Sequence, residues 1–184
     1  WTRTGNRSPN KPAAPHGVYP CAGEDNWLAI ACFTEGEWQA LCSVAVRPDW
    51  AADKRFVDLT TRMANQGALD EAVGEWTKQG DGRRMMETLQ KASVPAGVCQ
   101  TAEDRCDNDP QLVALEWLTE VTGTKIGRWP VAEVPVKLSE SPAYVGGPID
   151  RGAPCYGEDN EYVYGELLGM SSKEIAELEA DGVF

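Results

Sequence analysis

Three features of the sequence predict an α+β fold. Residues 16–21 and 27–32 are short apolar segments on either side of a Gly-containing polar turn, the pattern of a β-hairpin. Residues 34–98 contain several segments with helical apolar spacing, most of them preceded by a capping residue. Two more helical segments close the chain. We therefore expect a small domain with a short antiparallel sheet packed by helices, followed by an extended arm and two C-terminal helices.

The hairpin leads directly into the first helix. Residues 27–32 form an almost unbroken apolar run, which favours a strand buried on both faces. Thr34 and Glu37 have the spacing of a capping box, so a helix is expected to begin there. Residues 47–50 are expected to end that helix, because Pro48 disfavours helical geometry at the preceding residue. Its predicted buried face consists of Trp38, Leu41, Cys42 and Ala45.

Three more helices and a strand complete the predicted domain core. Residues 53–64 give a weaker helical pattern, and Asn65 can cap the helix that follows. Asp81 can cap a third helix, and residues 93–99 return as a strand. The apolar face of the second helix is expected to contain Leu69, Ala72, Val73 and Trp76.

The second half of the chain has weaker apolar patterns. Thr101 with Asp104 opens a short helix, and Asp109 before Pro110 predicts another, with proline at its first position. Residues 118–138 alternate loosely, which indicates short strands or an extended arm.

Turn formers and caps define the C-terminal part. Residues 139–155 are rich in Gly and Pro, as in a linker. Residues 160–168 and 171–180 are predicted as helices, the second one capped by Ser171 and Glu174. The expected organisation is a linker at 1–15, a small α+β domain at 16–117, a return arm and linker at 118–155, and a helical tail at 156–184.

Charge and cysteine content limit the class of protein. The chain has 17 basic and 29 acidic residues and a net charge of −12, which argues against nucleic acid or an anionic membrane surface as a partner. No apolar run is long enough to span a membrane, so we expect a cytoplasmic protein. Without a CxxC motif, reduced thiols are favoured over disulfides or a metal site for the six cysteines, which are Cys21, Cys32, Cys42, Cys99, Cys106 and Cys155.

The residues themselves form no complete active site. His16 is the only histidine and is expected in a turn; it cannot by itself build a metal site or a catalytic dyad. The acidic residues of the helices fall on polar faces, where they are expected to be solvated. Five tryptophans are expected to belong mainly to the core. They are Trp27, Trp38, Trp50, Trp76 and Trp117.

Residues 14–38, APHGVYPCAGEDNWLAIACFTEGEW, resemble the start of the small-domain sheet in the family III CoA-transferases, the group that includes formyl-CoA and carnitine CoA-transferases. Further similar segments follow in the same order, namely RPDW at 47–50, SVPAGV at 93–98, NDPQL at 108–112 and EYVYGELLGMSSKEIAELEADGVF at 161–184. The resemblance covers essentially the whole chain and only the C-terminal part of such an enzyme.

This resemblance implies transfer of CoA between carboxylic acids through an aspartate nucleophile in the family's large domain, upstream of these residues. It implies no catalytic residue in this chain, no activity of the chain alone, no metal and no tightly bound cofactor. By the same resemblance, the coenzyme A thioester would be a substrate and the full enzyme an interlocked homodimer. Arg3, Arg7 and Lys11 are the only acid-free basic cluster, so they are either a contact for the CoA phosphate or part of a plain linker.

Two alternatives stay open. An acyl-CoA racemase of the same fold would carry an additional catalytic histidine in the large domain, and the upstream sequence would reveal it. A non-catalytic partner subunit or binding module would be short in its native form, and the intact mass of the native gene product would show this.

Overall fold

A computed structural model describes residue 7, residues 11–141 and residues 152–183. The chain divides into two compact units, residues 1–100 and residues 101–184. Both units combine helices with antiparallel strands, as the predicted α+β class requires.

The first unit contains a three-stranded antiparallel sheet in the order β1–β2–β3. The strands are β1 (His16–Pro20), β2 (Trp27–Ala31) and β3 (Ala96–Val98). The turn between β1 and β2 uses Gly23 at φ 101° and Asp25 at φ 53°, both in the left-handed region that short turn residues tolerate. The predicted hairpin is confirmed.

The prediction that β2 is buried on both faces is wrong. Leu28 and Ile30 are buried, whereas Trp27 is 40% exposed. Side chains alternate between the two faces of a strand, and one face of this sheet lines an open cleft instead of a second layer. The apolar run therefore reflects a buried face next to a face of small residues.

Five helices pack around this sheet in the first unit. They are α1 (Glu35–Val44), α2 (Pro48–Ala52), α3 (Leu59–Ala64), α4 (Gln66–Thr77) and α5 (Gly82–Lys91). Thr34 and Glu37 form the predicted capping box of α1, and Asp81 accepts a hydrogen bond from the Arg84 amide at the start of α5.

Two helix boundaries differ from the prediction. The first helix ends at Val44, since Val46 adopts φ 55°, and residues 47–50 begin α2 instead of ending α1. Pro48 is at the first position of α2, where its missing N–H costs nothing. The helix predicted for residues 53–64 is confined to α3.

The predicted cap of α4 by Asn65 is wrong, and α3 has a cap that was not predicted. Asp58 caps α3, and its carboxylate accepts from the Thr61 amide at 2.8 Å. Asn65 makes no side-chain cap for α4; its Nδ2 donates to the Thr61 carbonyl at 2.9 Å. The amide is therefore engaged with the end of α3.

The core of the first unit is built around aromatic side chains. The rings of Trp38 and Trp50 stack with centroids 6.3 Å apart, and Phe56 meets Trp38 edge-on at the same separation. Trp76 contacts Trp50 and is partly buried. The expectation of a tryptophan core therefore holds for three indoles, and Trp27 is an exception.

The second unit has little core among its described residues. It contains a π-helical segment (Asp104–Asn108), α6 (Pro110–Ala114), the hairpin strands β4 (Leu118–Gly123) and β5 (Gly127–Ala132), a second π-helical segment (Glu161–Leu167) and α7 (Ser172–Ala180). Asp109 caps α6, and Ser171 with Glu174 forms the predicted capping box of α7. Most of the linker predicted at 139–155 lies outside the described residues. In the parts that are described, no helix is long and apolar enough to cross a membrane.

Candidate functional site

An open cleft of about 1280 Å³ lies over the exposed face of the three-stranded sheet, between the strands and α4. Small residues form much of its floor, because Ala29 and Ala31 of β2 and Gly97 of β3 contribute no bulk there. Helix α4 supplies Asp70, Glu71 and Glu75, and Lys78 follows directly after its last residue.

A chain of polar contacts runs along one side of this cleft. The Tyr19 hydroxyl donates to Asp70 Oδ1 at 2.8 Å, and Arg7 Nη1 lies 3.1 Å from Asp70 Oδ2. Arg7 Nη1 also donates to Gln66 Oε1. Burial, and then the negative charge of Asp70, raise the pKa of Tyr19 above its ordinary range. The phenol is therefore protonated and able to donate throughout the physiological range.

The charges lining the cleft do not favour an anion. Its lining includes the carboxylates of Asp70, Glu71 and Glu75 and the cationic groups of Arg7 and Lys78. Lys78 is itself paired with Glu75 at 2.6 Å. Acidic groups thus outnumber basic ones in this lining, which would repel a phosphate.

The predicted basic cluster falls at different places. Arg3 lies outside the described residues. Arg7 lines the cleft beside Asp70, and Lys11 Nζ lies 5.8 Å from the ring centroid of the exposed Phe33. Lys11 is absent from the described cleft lining. A role of Arg3, Arg7 and Lys11 in binding the CoA phosphate stays a prediction.

Sequence reasoning missed Arg62, whose side chain makes several polar contacts inside the first unit. Its guanidinium is fully buried and forms two hydrogen bonds to Glu35, at 2.9 and 3.0 Å. It also donates to the carbonyls of Ala14 at 2.9 Å and Phe56 at 3.1 Å, and it lies 5.0 Å from the Trp38 ring centroid. Because Glu35 is 27 residues away, no local spacing in the sequence could indicate the pair.

Two of the buried thiols are not activated nucleophiles. Burial raises the pKa of Cys32 to about 12 and that of Cys42 to about 11, so both are neutral thiols near pH 7. All six cysteines are free. His16 begins β1 instead of lying in a turn, and it packs edge-on against Phe33 at 5.7 Å.

A cluster of metal ligands is not found among the residues that the structure describes. Within those ranges, no three His, Cys, Asp or Glu side chains are grouped to hold a metal ion. The geometry defines a small α+β domain with an open cleft over one face of its sheet.

This domain and the chain around it belong to CoA-transferase family III, whose family model matches residues 1–160. The chain is 32% identical over 164 residues to a probable CoA-transferase of Mycobacterium tuberculosis. The aligned residues make up 89% of this chain and 20% of that protein. It is 29% identical over 181 residues to the succinyl-CoA–D-citramalate CoA-transferase of Chloroflexus aurantiacus, covering 98% of this chain and 43% of the relative.

Solved structures show the same fold. A CAIB/BAIF family protein from Brucella suis superposes with a TM-score of 0.73 at 28% identity, covering 90% of this chain and 40% of the other. The resemblance seen in the sequence is thereby confirmed. The chain spans less than half the length of these relatives.

Proposed function

We propose that this chain is the substrate-enclosing part of an acyl-CoA transferase that moves CoA between carboxylic acids, and that it supplies no nucleophile. The family match over residues 1–160 carries this proposal. Relatives that match it are named as CoA-transferases acting with succinyl-CoA or formyl-CoA. A cytoplasmic, homodimeric full-length enzyme with no tightly bound cofactor is part of the same proposal.

The proposed reaction explains why an enclosing domain is needed. A carboxylate of the remaining enzyme attacks the thioester carbonyl, the CoA thiolate leaves, and an acyl anhydride forms. The thiolate then attacks the enzyme carbonyl and releases the first acid, and the second acid takes over the CoA by the same steps in reverse. Water would hydrolyse the anhydride, so the site must be closed to solvent while the intermediate exists.

The second unit supports this proposal by its exposed apolar side chains. Trp129 on β5 is 59% exposed, and Leu167 and Leu168 beside the second π-helical segment are 63% and 65% exposed. Apolar side chains in such number need a surface that covers them. We propose that residues 118–155 return along the body of the enzyme and that residues 156–184 dock on its large domain.

Activity measurements on two proteins test the proposal. The 184-residue chain and the full-length product of its gene would be incubated with succinyl-CoA and a second dicarboxylic acid, and the new thioester quantified by mass spectrometry. We expect the full-length product to form it and the 184-residue chain to match buffer. Turnover by the 184-residue chain, or none by the full-length product with a panel of acids, would refute it.

The basic residues enter the proposal as a contact for the CoA phosphate. Arg7 can reach such a ligand only by leaving Asp70, whereas Lys11 is exposed beside Phe33. We expect Lys11→Ala to weaken binding of CoA to the full-length enzyme while dephospho-CoA, which lacks the 3′-phosphate, binds unchanged. Lys54→Ala, an exposed lysine elsewhere in the first unit, is the control variant.

A further inference from the structure

A second pocket of the first unit lies where the ends of three helices meet. Its volume is about 420 Å³. Sites for small molecules typically have about 300–1,000 Å³. Helix α1 contributes its last residue, Val44, while α4 contributes Trp76 and α5 contributes Met85. All three side chains are partly buried against the core, so the pocket has an apolar wall that a small ligand can contact.

This apolar wall has a fixed part and an adaptable part. The ring of the buried Trp50 meets that of Trp76 at 90°, with centroids 6.3 Å apart, which holds the second indole in place. Met85 folds onto Gly80, with its Cε and Sδ 2.6 and 2.7 Å from the position that a Cβ atom of residue 80 would take. A fixed indole beside a flexible thioether suits an aromatic or aliphatic group of variable shape.

The pocket also contains one acid and one base. Asp81 is the N-cap of α5 and Arg84 is the third residue of that helix, and both line the pocket. Opposite charges three positions apart on a helix are neighbours and frequently pair. The ion pairs found in the described part of the chain do not include one between these two side chains. The two charges therefore stand apart in the same pocket.

Neither charge is neutralised by another group. Asp81 Oδ1 accepts from the Arg84 backbone amide at 2.9 Å, which leaves its Oδ2. Within the described ranges, neither this Oδ2 nor the Arg84 guanidinium has a protein partner. The polar side chains beside them are engaged, because Gln79 donates to the Glu75 carbonyl at 3.1 Å and Thr88 donates to the Arg84 carbonyl at 2.8 Å. The pocket thus offers one cationic and one anionic group next to an apolar wall.

We propose that this pocket binds a free α-amino acid with a large apolar side chain. The carboxylate of the ligand contacts Arg84, and its ammonium group contacts Asp81 Oδ2. Its side chain lies against Val44, Trp76 and Met85. A zwitterion satisfies both charges of the pocket, whereas a simple carboxylic acid or amine satisfies one and is repelled by the other. None of these five residues lines the cleft over the sheet.

An NMR titration of the ¹⁵N-labelled 184-residue chain with L-phenylalanine tests the proposal. We expect saturable shifts of the Trp76 indole N–H and of the amides of residues 80–88. Three analogues each lack one feature of the ligand: 3-phenylpropionate has no ammonium group, phenethylamine has no carboxylate, and L-alanine has no large side chain. Each should bind at least roughly three-fold more weakly than L-phenylalanine. This comparison uses only the wild-type chain, so it does not depend on the folding of any variant.

Two arginine variants form a matched pair. Arg84→Gln removes the cation of the pocket, and Arg83→Gln makes the same change at the preceding residue, which does not line it. We expect the Kd for L-phenylalanine to rise roughly three- to five-fold in Arg84→Gln and to be unchanged in Arg83→Gln. Phenethylamine, which has no carboxylate, should bind Arg84→Gln at least as well as wild type. Asp81→Asn should weaken L-phenylalanine similarly, while asparagine still caps α5.

Three results would overturn the inference. One is the lack of any saturable shift at about 10 mM L-phenylalanine. Another is equal affinity of Arg84→Gln and Arg83→Gln, or of L-phenylalanine and 3-phenylpropionate, because the paired charges would then not select the ligand. The third is a set of shifts confined to residues that line the cleft over the sheet, which would place the ligand there instead.

Discussion

Arg62 shows at the scale of a single residue how a charge is accommodated in a small core. Arginine has five donors and no acceptor, so a buried guanidinium needs several oxygen partners. Here Glu35 supplies two, and the carbonyls of Ala14 and Phe56 supply two more. The same side chain thus connects α1, α3 and the segment before β1.

Removal of this guanidinium should destabilise the first unit strongly. Arg62→Ala leaves the buried Ala14 carbonyl without its side-chain donor and opens a cavity beside Trp38. The unsatisfied carbonyl costs about 1–3 kcal/mol and the cavity adds to it, a loss that urea unfolding followed by tryptophan fluorescence would detect. Arg55→Ala is the control, since Arg55 is 56% exposed in its pair with Asp53. A similar loss of stability in both variants would contradict the assignment of Arg62 as a buried anchor.

Glu35 should make part of this stability depend on pH. The hydrogen bonds from Arg62 lower the pKa of Glu35 below its ordinary value of 4.5. A carboxyl group with a lowered folded-state pKa stabilises the protein above the unfolded value, and this contribution is lost as the pH falls through the folded value. In Glu35→Gln, the decline in unfolding free energy below about pH 4.5 should be shallower than in wild type. Superimposable profiles would exclude the contribution.

Capping residues act at the scale of the helix. Thr34 accepts from the Glu37 amide at 3.2 Å, and Glu37 accepts from the Thr34 amide at 3.0 Å. Helix α1 places Trp38, Leu41 and Cys42 in the core, so its first turn positions buried side chains and not only surface groups. The cap therefore connects a local hydrogen bond to the packing of the sheet.

Loss of this cap should have a moderate, specific cost. Thr34→Ala removes the acceptor for the first turn, for which we expect about 1 kcal/mol of lost stability. Thr34→Ser keeps the hydroxyl and should retain most of it. Chemical denaturation of the three proteins gives the comparison, and a loss in the serine variant equal to that in the alanine variant would show that the methyl group and not the hydroxyl matters.

The distribution of the core matters at the scale of the whole molecule. Among the described residues, the buried apolar side chains of the first unit include Leu28, Trp38, Leu41 and Leu69, whereas those of the second unit are Val121 and Ile175. Burial of apolar area is the main favourable term in folding and must offset the conformational entropy of the chain. The first unit has such a core, and the second has very little.

The two units should therefore differ when produced separately. We expect residues 1–100 to unfold cooperatively in urea and to give a dispersed NMR spectrum. Residues 101–184 should give a narrow amide dispersion and no cooperative transition, because the two buried apolar side chains in its described part are too few to hold the segment. Cooperative unfolding of residues 101–184 as a monomer would show that this segment has a sufficient core of its own. It would also weaken the proposal that these residues dock elsewhere.

Features that depend on a few neighbouring residues could be predicted from the sequence alone. Thr34, Asp81 and Ser171 were identified as helix caps because the hydroxyl or carboxylate and the amide it accepts from are separated by three positions in the chain. The hairpin followed from its turn residues and from the short apolar segments on either side of them. Family membership was also recognisable from ordered local motifs, and the match over residues 1–160 agrees with it.

Which strand face is open and which charges are paired depends on the tertiary structure. Arg62 meets Glu35 across 27 positions, and Arg7 meets Gln66 across 59. No local pattern encodes such contacts, because they exist only after the helices have packed on the sheet. The same packing leaves one face of β2 open to the cleft, since the energy of burial depends on what lies opposite a side chain and not on its neighbours in the chain.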